Sequence, residues 1–447
     1  MEWPTYLDEY EKLVIRMNTP RVVIDNAVCP TATVVQVDSA RKRGVLLEAV
    51  QLLTDLDLSI KKAYVSSDGR WFMDVFHVTD QFGRKLADES VISYIQQSLG
   101  TWKYGPERAT ESEGLTALEL TGTDRPGLLS EVFAVLAELQ CGVAEGKAWT
   151  HNGRIACVVF VNDSVSGCPI ADDLRIRRIE SRLRHLIKGD RRGTVAAASP
   201  SPSAPAHVDR RLHQLMLADR DYENAGGAAE SPPQSVVVVV VQDWAERGYS
   251  VVTVQCRDRP KLLFDVLCTL TDMEYVVFHG TIHTHRDQAH QEFYIRHADG
   301  TPIRSEAERQ RVIQCLRAAI ERRSSQGVRL ELCAVDRPGL LMEVTRTFRE
   351  NGLLVARAEV STKGEMASNV FYVTDAAGQP ADLKVIEAVR RKIGEDRLYV
   401  KEEPRPHYHR KASGDREEAN GGGGGIGLFH LGNFVMRNLF NLGLIRS

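Results

Sequence analysis

The sequence predicts an α+β protein made of four βαββαβ modules, each an antiparallel sheet with two helices on one face. Three observations predict this. First, a short string recurs as Asp124-Arg125-Pro126-Gly127-Leu128-Leu129, Asp258-Arg259-Pro260-Lys261-Leu262-Leu263 and Asp336-Arg337-Pro338-Gly339-Leu340-Leu341, with a looser copy at Arg43-Gly44-Val45-Leu46-Leu47. Second, apolar residues follow each string at fixed offsets: Leu46, Ala49, Val50, Leu53; Leu129, Val132, Phe133, Leu136; Leu263, Val266, Leu267, Leu270; Leu341, Val344, Thr345, Phe348. Spacings of 3, 1 and 3 make one face of a helix. Third, a tight turn follows each time it can be read, at Ser67-Asp68-Gly69, His151-Asn152-Gly153 and Lys363-Gly364. Asn-Gly and Asp-Gly supply the positive φ that hairpins require.

Within a module the elements come in a fixed order. An alternating strand opens it, clearest at Val328-Arg329-Leu330-Glu331-Leu332. The recurrent string starts the first helix, with Pro expected at the first helical position and Asp as its cap. Two strands follow, then a loop such as Asp80-Gln81-Phe82-Gly83 or Asp375-Ala376-Ala377-Gly378. A second helix carries Ile386, Val389 and Ile393 in the last copy, and Leu398-Tyr399-Val400 closes the unit. The glycine-equivalent positions step by 83, 134 and 78, so the long step is one repeat plus an insertion. The Ala/Ser/Pro and Gly/Ala composition of 193–235 reads as a flexible linker. The modules are expected at 33–104, 114–190, 249–323 and 327–402, with a flexible spacer at 403–425 and an amphipathic tail at 426–447. Val22-Val23-Ile24 and Val236–Val241 are expected as extra strands. Small modules with open sheet edges are expected to pair side by side.

Composition narrows the function. Against 57 Lys+Arg stand 60 Asp+Glu in 447 residues, a balance that does not suit a polycation for nucleic acid. The acidic N-terminus does not read as a secretory signal, and no apolar run approaches the ~20 residues of a membrane helix. Eight scattered cysteines without a C-x-x-C pair suit reduced thiols in the cytoplasm or nucleus. No catalytic motif occurs, so no catalytic residue, metal or cofactor is expected. His279, His283 and His285 share one face of a strand, but the alternation explains them without a metal. The basic stretch Arg175–Arg192 carries Ile176, Ile179, Leu183 and Leu186 at helical spacing and reads as a solvated helix face, not an RNA surface.

The recurrent string has a chemistry of its own. Amides at a helix start, where Gly allows close approach, attract a carboxylate. The neighbouring aspartate attracts an ammonium group. A free amino acid satisfies both, which makes Asp124, Arg125, Gly127, Leu128, Leu129, Asp258, Asp336, Arg337, Gly339, Leu340 and Leu341 the candidate ligand-binding residues. The plainer alternative is that the string merely starts a helix.

These residues resemble the first loop of the ACT domain, a ferredoxin-like regulatory βαββαβ module. Over roughly 20–402 the chain resembles the plant ACT-domain-repeat (ACR) family, most specifically at Leu270-Thr271-Asp272-Met273-Glu274-Tyr275-Val276-Val277-Phe278-His279. The resemblance implies a non-enzymatic sensor of free amino acids. Independently of the resemblance, self-association through the modules' open edges and a protein partner that reads the signal are expected. The alternatives are an interaction scaffold with degenerate ligand sites and, ranked below it, a nucleic-acid-binding βαββαβ protein. Departures exist. The position after the first helix where amino-acid-binding ACT domains keep a polar residue holds Ser59, Gly142, Val276 and Leu354, and Lys261 replaces the loop glycine in the third copy.

Overall fold

Alternating apolar residues and left-handed turn residues give sixteen strands and nine α-helices among the described residues of the computed structural model, which are 21–40, 45–67, 71–100, 115–198, 208–223, 237–323 and 327–401. The first module holds β1 (Arg21–Asp25), β2 (Thr33–Ala40), α1 (Val45–Asp55), β3 (Ser59–Ser67), β4 (Trp71–Thr79) and α2 (Glu89–Gly100). The second holds β5 (Thr116–Thr123), α3 (Leu128–Glu138), β6 (Cys141–His151), β7 (Arg154–Asp163), α4 (Asp173–Leu186) and β8 (Thr194–Ala198). After α5 (Val208–Ala218) come β9 (Val238–Trp244), β10 (Tyr249–Arg257), α6 (Leu262–Asp272), β11 (Tyr275–His285), β12 (Gln288–His297) and α7 (Glu306–Glu321). The fourth module is β13 (Val328–Val335), α8 (Leu340–Glu350), β14 (Leu354–Lys363), β15 (Met366–Thr374), α9 (Leu383–Ile393) and β16 (Leu398–Lys401).

The chain divides into two units. One contains residues 1–102 and 277–295, the other 103–276 and 296–405. In the first, the strand order β1-β2-β4-β3-β11-β12 joins module 1 to the hairpin of module 3, with Ala63 opposite Ile282 at the seam. In the second, the order β16-β13-β15-β14-β6-β7-β5-β8 joins modules 2 and 4 through β6 and β14. Modules therefore pair with the next-but-one copy. Helices α3 and α8 pack together, and Leu128, Val132, Leu136, Leu340, Val344 and Phe348 share one core with the strands of modules 2 and 4 in that single sheet.

Several expectations change. The edge strand beside β13 is the downstream β16, as expected, and β8 plays that part beside β5. In modules 1 and 3 the upstream extra strands take it instead: β1 pairs with β2, and β9 with β10. Among the described residues those two copies run ββαββα. In module 3 six residues lie between α7, which ends at Glu321, and β13, which begins at Val328. The stretch 193–235 is also no simple flexible linker, because it contains β8 and the buried helix α5. The Arg43-Gly44 loop, the Asp68-Gly69 turn, the spacer and the apolar tail lie outside the described residues.

Covering by α5 explains β7. Ile155, Cys157, Val159 and Val161 face the shared core, whereas Ala156, Val158 and Phe160 on the opposite face pack with Val208, Leu212, Leu215 and Met216 of α5. A strand buried on both faces has no reason to alternate, and β7 does not.

Candidate functional site

The recurrent string forms a turn before its helix rather than the helix start itself. In module 2 the Leu128 amide donates to the Arg125 carbonyl at 3.0 Å, and Gly127 has φ 86° and ψ 0°. In module 4 the Leu340 amide donates to Arg337 at 3.1 Å, with Gly339 at φ 83° and ψ 1°. Pro at the second position and a left-handed residue at the third define a type II turn. Pro126 and Pro338 thus precede the helix, and Gly127 and Gly339 are its N-caps without any side-chain cap. The expected aspartate cap is absent. The aspartates instead tie the turn to the hairpin, where the Asp124 amide donates to Gly153 O at 2.8 Å and Asp336 to Glu365 O at 2.7 Å.

The arginine of each string clasps its own helix. Arg125 pairs bidentately with Glu131, Arg337 pairs with Glu343, and Arg259 reaches Asp265 at 2.7 Å. Arg125 and Arg337 are thus each paired with an acid of their own helix. Side chains of Leu128, Leu129 and Leu340 lie in the core, so only their backbone can take part in a site. Leu341 packs against the same core at its margin.

What distinguishes the turns is what stands over them. At Gly127 a Cβ would overlap Arg349 Cδ of α8, and Arg349 Nη1 would lie 3.2 Å from it. The equivalent residue of α3, ten positions after its own turn glycine, is Ala137, too short to do the same to module 4. At Gly339 the nearest atom to a Cβ is Met342 Cε at 3.7 Å, on the same turn. In module 3, Lys261 holds the left-handed position at φ 65°, and its Nζ lies 2.9 Å from Asp209 of α5. Of the three described turns, only that of module 4 is open. Since the α8 ladder begins with the Glu343 amide on Gly339 O at 3.0 Å, the Leu341 and Met342 amides face outward from the helix end.

Burial raises the pKa of both turn aspartates, pushing Asp124 up to about 6, with Arg125 opposing the shift. An Asp124 value above the ~3.9 of an unfolded chain means that the stability it contributes is complete below about pH 4 and is lost as pH rises through about 6. Asp124→Asn is expected to gain about 1–3 kcal/mol over the parent at pH 7–8 and nothing at pH 4. Thermal unfolding of both chains across that range checks it, and a difference independent of pH contradicts it.

Around α5 lies an ionic cluster that has no counterpart in the local sequence pattern. Asp265 is fully buried and meets His213 Nε2 at 2.8 Å, Arg323 Nε at 2.7 Å and Arg259 at 2.7 Å. Asp209 meets Lys147 Nζ at 2.8 Å, Lys261 Nζ at 2.9 Å and Arg323 at 3.0 Å. Asp221 takes two bonds from Arg322, both 2.6 Å, and faces His151 Nδ1 at 3.1 Å. Arg322 Nη1 also lies 2.8 Å from His213 Nδ1. A guanidinium can only donate, so Nδ1 accepts, Nε2 carries the proton, and His213 is a neutral imidazole. Burial lowers its pKa accordingly. Trp149 completes the cluster, with Arg323 4.5 Å above its ring and His213 edge-on at 4.9 Å.

Other predicted residues fall as follows. Asp258 is half-buried before the module 3 turn, while Arg259 turns away to Asp265 and to Ile320 O at 2.8 Å. His279 and His283 stand opposite Ser66 and Lys62 at the β3–β11 seam. Among the described residues no three His, Cys, Asp or Glu side chains are placed to hold a metal. In the basic helix α4, Arg175 binds Asp163 and Arg182 binds Glu138 at 2.6 Å, so part of its charge is neutralised within the unit. Also unforeseen is a buried polar position thirty residues after the turn residue, occupied by Asp74, Gln291 and Asn369. Asp74 is pushed up to about 8 by burial. The recurrence of a polar residue among core positions was the available signal. Among the described residues no helix is long and apolar enough to cross a membrane.

Comparison with known proteins agrees with the repeat. Residues 28–106 match the ACR family N-terminal ACT domain, 117–188 and 328–391 match the ACT domain, and 238–324 match the ACR9-like, ACT-like domain. The chain is 62% identical over 443 residues to ACT domain-containing protein ACR8 of Arabidopsis thaliana, covering 99% of this chain and 98% of that one. It is 52% identical over 451 residues to ACT domain-containing protein ACR4 of the same plant, covering 98% of each chain. Identity to its ACT domain-containing protein ACR6 is 51% over 407 residues, 90% of this chain and 93% of that one. With four matching domains and relatives of this identity over nearly their whole length, the chain belongs to the plant ACR family of tandem ACT-domain regulatory proteins.

Proposed function

We propose that this protein senses a free amino acid, bound at the Asp336–Leu341 turn of its fourth module. The contrast between the turns carries the reading: Arg349 stands over Gly127 and Lys261 is paired with Asp209, while the approach to Gly339 is open. The ligand's carboxylate would meet the Leu341 and Met342 amides at the positive end of α8, and its ammonium would meet Asp336. An ammonium there offsets the burial that raises the Asp336 pKa. Free cysteines throughout the chain fit a cytoplasmic or nuclear setting. A second reading, an interaction scaffold with degenerate ligand sites, is favoured by the two turns that the chain fills for itself.

Calorimetric titration with the twenty amino acids separates these readings. One amino acid is expected to bind the parent at one site per chain and to lose at least tenfold in affinity to Gly339→Lys. That variant can fold, because Lys261 adopts φ 65° at the same turn position. Arg349→Ala, which clears the module 2 turn, is expected to raise the stoichiometry toward two. Binding retained in a folded Gly339→Lys chain contradicts the assignment.

A further inference from the structure

A second, independent site is built around the insertion helix. We propose that Lys147, Lys261 and Arg323 form a carboxylate site that Asp209 of α5 occupies as an internal ligand, and that free aspartate or glutamate displaces α5 from it. The three cations come from three elements: β6, the turn before α6, and the end of α7. They converge on one carboxylate that is 4% exposed. Lys261 sits where the other copies have glycine, in a left-handed conformation that costs a non-glycine residue about 1 kcal/mol. The strain serves to put an ammonium group where modules 2 and 4 offer only backbone amides.

The neighbouring acid cannot take over if Asp209 leaves. Asp265 already holds Arg259, Arg323 and His213. Withdrawal of Asp209 would strand Lys261 and one edge of Arg323 as largely buried, uncompensated positive charge and leave Lys147 with Glu359, which stands opposite it on β14, and this is costly. Undocking of α5 is therefore linked to entry of another anion, and an anion that prefers the undocked state shifts the balance toward it. Lys147 and Lys261 side chains are 22% and 24% exposed, so an anion has access from solvent. The group now in place is an aspartyl side chain, and free aspartate or glutamate presents the same carboxylate. Because Asp209 is tethered, its effective concentration is of millimolar order, and the competing ligand must be tested to tens of millimolar.

Amide hydrogen exchange of the full chain over residues 208–218 tests the proposal, with sodium aspartate or glutamate titrated against glutamine and sodium chloride at equal ionic strength. Exchange of the α5 peptide is expected to rise saturably, several-fold, with the acidic amino acids only. The same response is expected in the Gly339→Lys chain, which separates this site from the module 4 turn. No rise, or an equal rise in chloride, overturns the proposal. A second measurement uses Asp209→Ala, where acetate is expected to raise the thermal midpoint by several degrees more than chloride does. Equal midpoints in the two salts also overturn it.

Discussion

Asp265→Ala is expected to destabilise the second unit by about 3–5 kcal/mol, the cost of leaving buried charges without their partner. The carboxylate is held well below the usual range by Arg323, Arg259 and His213 despite complete burial, so it is ionised in the native state. Its removal leaves Arg259 half-buried beside the module 3 turn and leaves Arg323 with Asp209 alone. His213 loses the acceptor for its Nε2 proton, while Arg322 still donates to Nδ1. Urea unfolding reads the effect as a lower midpoint at unchanged slope. A loss under about 1 kcal/mol would mean that water or Asp209 takes over the bonds. By contrast, Arg125→Ala breaks an exposed pair with Glu131 and a 3.5 Å bond to Leu186 O, and is expected to cost at most about 1 kcal/mol.

Trp149→Ala is expected to cost a similar amount, about 3–5 kcal/mol for a large buried aromatic, through a different mechanism. The indole is fully buried between β7 and α5, in one cluster with Phe160, Leu212 and Met216. It also carries Arg323 over its face, a contact worth about 2 kcal/mol when desolvated. The resulting cavity removes the surface on which α5 rests, so protease cleavage near residues 208–218 is expected to accelerate along with the loss of stability. Trp149→Phe retains a ring for both contacts. The indole Nε1 has no hydrogen-bond partner among the described residues, so this milder change strands no acceptor and is expected to cost about half as much. Equal losses in the two variants would contradict a packing role.

Much of the fold was legible because the repeat states it four times. The helix offsets, the hairpin turns and the strand–turn–helix order all rest on local chemistry, which a short window records. The turn itself was misread for a reason that is also local: Pro-Gly before an apolar helix suits a Pro at the first helical position and equally suits a type II turn. Which strand closes each sheet was not legible, since β1 and β16 can be told apart only by which edge they reach. For α5 a signal existed. Val208, Leu212, Leu215 and Met216 lie at helical spacing, but the flanking Ala-Ser-Pro and Gly-Gly-Ala-Ala stretches dominated the composition. The unbroken apolar run Ile155–Val161 already required a second covering layer. The ionic cluster left least trace, because Asp209 meets Lys261 across 52 residues and His213 meets Arg322 across 109. Clasps of the Arg125–Glu131 kind could have been found, as the same Arg and acid recur six residues apart in three copies.

The most direct measurement is amide chemical-shift mapping of the isotopically labelled chain during titration with the amino acid that calorimetry identifies. Saturable shifts of the Gly339, Leu341 and Met342 amides, with those of Gly127, Leu129 and Ser130 unmoved, are the predicted result. Shifts centred on the Gly127 turn, or none at either turn under saturating ligand, would contradict an open cradle at the start of α8.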